Sequence, residues 1–102
     1  LGKPVIATNY SGNLGFMNDD NSYLIDVSGI EKIDSEMCNI NPNYDDQEWA
    51  VISESDLRKK MLYVYDNRKE AKQIGAVASK HIADNFSYKK ISDQIIDILE
   101  KF

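Results

Sequence analysis

The sequence predicts an α/β chain in which two to three parallel strands and a short helix precede three C-terminal helices. Two patterns carry this expectation. Pro4-Val5-Ile6-Ala7-Thr8 is a β-rich run that is apolar on both faces, as a strand in a parallel sheet covered by helices must be. The second half of the chain repeats apolar residues at helical spacing, with a serine before each of two such segments. There is no internal repeat and no low-complexity segment, and 102 residues make one small domain or a piece of a larger one.

The first strand begins at Pro4, where a missing N–H costs least. Asn9-Tyr10-Ser11-Gly12-Asn13 then reads as a loop, with Ser11 placed to cap a short helix through Leu14, Phe16 and Met17. Asn18-Asp19-Asp20-Asn21 is turn chemistry, and Ser22–Val27 reads as a second strand. From Ser28 to Asn43 the pattern weakens: residues 24–40 fit either a strand that continues or an excursion over the surface. Asn41–Asp46 is a loop, and Glu48–Ile52 a short extended piece.

Ser53 or Ser55 can cap a helix carrying Leu57, Met61, Val64 and Tyr65, which Asp66-Asn67 breaks. A second helix places Ala71, Ile74, Ala78 and Ile82 on one stripe, and its small residues suggest close approach to a neighbour. Ser87 can cap a third helix whose Ile91, Ile95, Ile98, Leu99 and Phe102 form the cleanest apolar face in the chain. Burial of that face against the protein's own sheet is the ordinary expectation.

Composition excludes several functions. Twelve Lys and Arg against 17 Asp and Glu give a net charge of −5, which opposes both nucleic-acid phosphates and anionic lipid. No apolar run approaches the length of a membrane span, so no membrane segment is expected. One cysteine cannot make an intramolecular disulfide, and a reducing cytoplasm is the simplest location. Metal and cofactor sites are not expected, because one His and one Cys make no ligand cluster. Asn18, Asp20 and Ser22 imitate the opening of a calcium loop but lack its turn glycine and closing glutamate. His81 has no orienting partner or nucleophile in view, and Cys38 has no basic residue within four positions, so both read as structural. Gly12-x-x-Gly15 lacks the third glycine and the lysine-serine ending of a phosphate loop.

The segment Thr8-Asn9-Tyr10-Ser11-Gly12-Asn13 is the candidate site. It follows the carboxyl end of a parallel strand, where open α/β sheets bind their ligands. A capped turn is the simpler account of the local pattern alone.

The string Leu1–Met17 closely resembles a segment of the group 1 (family 4) retaining glycosyltransferases. The resemblance continues through Asn21–Ile25, Trp49-Ala50, the helix with Met61, Val64 and Tyr65, then Glu70-Ala71, Gly75 and Phe86-Ser87. It is strongest over residues 1–25, moderate over 49–75 and absent over 28–47. It implies a partial Rossmann-like domain, the second half of the C-terminal, donor-binding domain of a GT-B enzyme. It implies transfer of a sugar from a nucleotide-sugar donor to a glycan or lipid acceptor with retention, without a metal. The abrupt start at Leu1 fits a chain cut from a longer protein. The family's paired glutamates and diphosphate-binding cations would precede Leu1, so the isolated chain is expected to be inactive. Residues 8–13 would border the donor cleft. Gly15 stands where an acidic residue is expected in this subgroup, which bears on the local geometry.

A non-catalytic assembly module derived from a transferase half is the alternative. A receiver-like signalling domain is more distant, since its acidic pocket is missing. The isolated chain is expected to form a homodimer, because its first strand is apolar and lacks sheet neighbours.

Overall fold

The computed structural model describes residues 1–102. Its first unit is a parallel pair, β1 (Ile6–Thr8) and β2 (Tyr23–Ile25), with Ile6 opposite Tyr23 and Thr8 opposite Ile25. All three residues of β2 are buried, and Met17, Asn21, Ser22 and Ala71 complete most of the small core around it. A 3₁₀ turn, Ser11–Gly15, lies in the connection between the strands.

The uncertain stretch resolves into a second, separate sheet. β3 (Val27–Lys32) and β4 (Glu48–Ile52) pair antiparallel, so only two strands are parallel and the third is not. The register shifts between Val27 and Gly29, a bulge of the kind that strengthens local twist. Between its strands lie a short helix, α1 (Ser35–Ile40), and a 3₁₀ turn over Pro42–Tyr44. The Asp34 carboxylate accepts the Met37 N–H at 2.8 Å and starts α1.

The three expected helices are present: α2 (Glu54–Asp66), α3 (Arg68–Phe86) and α4 (Tyr88–Leu99). Ser53 caps α2 by accepting the Asp56 N–H, and Ser87 caps α4 by accepting the Lys90 N–H. Asn67 does not cap α3 with its side chain. Instead its amide donates to the Tyr63 carbonyl at 2.8 Å and closes the C-terminal end of α2.

The small-residue stripe on α3 has a specific neighbour. A Cβ added at Gly75 would sit 2.5 Å from the Gly2 carbonyl oxygen and 2.8 Å from the Lys3 carbonyl carbon. The N-terminal segment therefore lies directly on α3, and only glycine leaves room for it.

The apolar face of α4 is not buried against the sheet. Ile95, Ile98 and Leu99 are 52, 55 and 65% exposed. The whole molecule is correspondingly open: its radius of gyration is 17.6 Å, where about 13 Å is usual for this length. No helix is long and apolar enough to cross a membrane.

Candidate functional site

Thr8 ends β1, and its carbonyl accepts the Asn13 side-chain amide at 2.9 Å. The Asn9 N–H continues the ladder to the Ile25 carbonyl at 2.8 Å, and its side-chain amide reaches Asp26 Oδ1 at 3.4 Å. The loop thus leaves β1 while still tied to the carboxyl end of β2. Asp26 belongs to this locale and was not among the residues expected there. The signal for it was its position, one residue beyond a strand parallel to β1.

Ser11 is not the cap of a helix. The helical turn ends at Gly15, well short of Met17. Tyr10 holds the capping position with extended backbone and makes no side-chain cap. Ser11 lies inside the turn at φ +66°, a left-handed conformation that costs a side-chain-bearing residue energy. Five residues of 3₁₀ structure also carry little of the aligned dipole that makes a long helix attract anions.

Two asparagines hold the loop instead. Asn13 reaches back to Thr8, as above, and also meets the Met17 sulfur at 3.6 Å. Met17 is buried, and its N–H returns to the Asn13 carbonyl at 2.9 Å. Asn21, also buried, donates to the Phe16 carbonyl and accepts from the Asn18 N–H and the Ser22 hydroxyl. Phe16 packs edge-on against Phe86 with ring centroids 6.4 Å apart, fastening the loop to the end of α3. Asn9, Ser11 and Gly12 are left exposed on this frame, and Tyr10 half-exposed. Residues 8–13 carry no charge, so what they offer a ligand is hydroxyl, amide and backbone hydrogen bonding.

The other candidates have structural positions. His81 is half-buried, 5.8 Å from the Phe86 ring, and its carbonyl accepts the Asn85 amide at 2.9 Å. Cys38 is half-buried, with its thiol near the Ile33 carbonyl at 3.7 Å. No group of three or more His, Cys, Asp or Glu is placed to hold a metal ion.

The most perturbed acids lie elsewhere. Burial, then the Glu70 carboxylate, pushes the Tyr23 phenol above its ordinary range. Tyr63 is raised first by the 2.7 Å hydrogen bond it donates to Glu70 and then by that carboxylate's charge. The Tyr23 hydroxyl, facing the same carboxylate, completes no hydrogen bond of its own. At the hairpin tip, Lys32 and Asp46 hydrogen-bond at 2.8 Å, which raises the lysine and lowers the carboxyl.

No family model, curated protein or solved structure matches the chain significantly.

Proposed function

We propose that the chain is the C-terminal portion of the donor-binding domain of a retaining GT-B glycosyltransferase, with residues 8–13 bordering the nucleotide-sugar cleft. The observation that carries this reading is the parallel β1–β2 pair with Thr8–Asn13 leaving its carboxyl end beside Asp26. Retaining transfer requires preorganised donors and cations for the departing diphosphate. Residues 8–13 contribute none of the cations, so the chain alone binds weakly and does not turn over.

Amide NMR titration with uridine, guanosine and adenosine diphosphates tests the reading. Saturable shifts confined to residues 8–13 and Asp26 are expected with one of the three, and would name the base. Shifts with none would assign donor affinity to other parts of the parent protein and leave this chain as scaffold.

A second reading, an assembly module that pairs with another copy, is favoured by the exposed apolar face of α4 and the unpaired edge of β1. It is compatible with the first, since a transferase half deprived of its neighbours would self-associate through the same surfaces.

A further inference from the structure

We propose that the cavity between the N-terminal segment and the start of α3 binds the phosphate group of a small phosphate monoester, of sugar-phosphate size. The cavity measures about 390 Å³, and its charged lining is Lys3, Arg68 and Lys72 with no carboxylate. On a chain with 12 basic and 17 acidic residues, a concavity walled by cations alone departs from the average surface and focuses positive potential. Lys32, Arg58, Lys80 and Lys89 each hold an acid, whereas none of these three forms an ion pair.

Packing sets the three together. Arg68, Ala71, Lys72 and Gly75 follow one another at spacings of three and four, so they share one face of α3. Gly75 lets the Gly2–Lys3 backbone lie on that face, with the Gly2 carbonyl oxygen 2.5 Å from where a Cβ would stand. A second, fixed element thereby carries Lys3 to the face that holds Arg68 and Lys72. Arg68 and Lys72 are one turn apart, and like charges at that spacing repel. An anion between them reverses the sign of the interaction.

Arg68 is also aimed. Its guanidinium carbon lies 4.5 Å from the centroid of the Tyr65 ring, and its Nε donates to the Tyr65 carbonyl at 3.3 Å. The two terminal nitrogens keep their donors, in the planar fork that matches phosphate oxygens. Asp66 and Glu70 border Arg68 on its other side, but neither pairs with it, and Glu70 accepts the Tyr63 hydroxyl instead.

Charge and size choose the ligand. Two lysines and an arginine answer a dianion better than a single carboxylate. Pro4, Val64 and the Tyr65 ring offer an apolar wall to the organic part of an ester. A volume near the lower limit of small-molecule sites suits a sugar phosphate rather than a nucleotide. The site does not depend on the proposed donor cleft, since Lys3 precedes β1 whereas the loop of residues 9–13 follows it.

The test titrates the isotope-labelled chain with inorganic phosphate at neutral pH, against sodium chloride of matched ionic strength. Saturable amide shifts are expected at residues 2–3 and 65–72, with a Kd of roughly 1–10 mM because the cations are exposed. Glycerol phosphate should bind at least as tightly, since its organic part meets the apolar wall. Lys3→Gln, Arg68→Gln and Lys72→Gln should each weaken binding about fivefold, whereas Lys60→Gln, an equal charge change outside the cavity, should alter it by less than about twofold. Absence of saturable shifts at residues 2–3 and 65–72 overturns the proposal, as do equal shifts with chloride or an equal loss in Lys60→Gln. Weaker binding of glycerol phosphate than of phosphate overturns the ester. Shifts centred on residues 8–13 also overturn the proposal, because they place the anion at the other end of β1.

Discussion

Tyr23 is nearly buried, yet its hydroxyl has no partner while Tyr63 holds the shared Glu70 carboxylate. A buried hydroxyl with no hydrogen bond costs about 1–3 kcal/mol relative to one that is satisfied. Tyr23→Phe should therefore leave stability within about 0.5 kcal/mol of the parent or raise it, in contrast to the usual cost of a core substitution. The same residue carries a pH signature. Its folded-state pKa is raised above the unfolded value, so its contribution is complete below the ordinary tyrosine range and is lost as the pH rises through the folded pKa. Denaturant melts from pH 8 upward should show stability falling above about pH 10, with a smaller fall in Tyr23→Phe. A variant much less stable than the parent at neutral pH would mean that Tyr23 and Glu70 share a bond after all. Asn13 is the opposite case, a half-buried amide whose donor is used. Asn13→Ala should cost about 1 kcal/mol and loosen the turn that presents residues 9–12, read as faster amide exchange there.

Among the elements, the helices were legible because each announces itself at several positions at once. A capping serine, a stripe at spacings of three and four and a breaker at Asp66-Asn67 all agree for α2. The first strand was legible from its two apolar faces. β4 was legible as the extended piece Glu48–Ile52, but β3 and its antiparallel pairing with β4 were not. A bulge interrupts its alternation, Glu31 and Lys32 are exposed within it, and its apolar residues lie on a sheet too small to bury them. The candidate loop was legible in position but not in construction: the sequence offers Ser11 as the cap, whereas Asn13 and Asn21 hold the fold. Two substitutions test the helix account. Ser87→Ala removes the cap of α4, a helix whose main packing partner is α3, and should cost about 1 kcal/mol with loss of helical circular dichroism. Gly75→Ala should gain about 1 kcal/mol in helix propensity. It must also displace the Gly2–Lys3 backbone, which approaches closer than any real Cβ tolerates. Overpacking of this kind costs about 1–3 kcal/mol, so the net effect should be destabilising, with amide exchange accelerated at residues 2–4. A stabilised variant would mean that the N-terminal segment lifts away from α3 freely.

At the scale of the molecule, the surface area is the deciding quantity. The chain exposes 8088 Å², while a compact protein of its mass exposes about 5,800 Å². The excess, roughly 2,200 Å², is comparable to what one partner gives up in a large obligate interface. Much of it is apolar: Ile91, Ile95, Ile98 and Leu99 on α4 are exposed, and so is Val5 beside the unpaired edge of β1. Apolar patches of this extent are rarely left in water by a monomer. The net charge of −5 is too small, and too readily screened by salt, to keep two copies apart against that burial. Sedimentation of the chain should therefore show a mass that rises with concentration toward a dimer. Ile95→Glu combined with Ile98→Glu should shift the equilibrium at least tenfold toward monomer, since covering either acid without a partner costs more than the apolar contact returned. A parent chain that stays monomeric at every concentration, with a single cooperative melt, would show that this open arrangement is stable by itself. A dimer unaffected by the double variant would move the contact from α4 to the free edge of β1, where pairing is through backbone hydrogen bonds and is indifferent to those side chains.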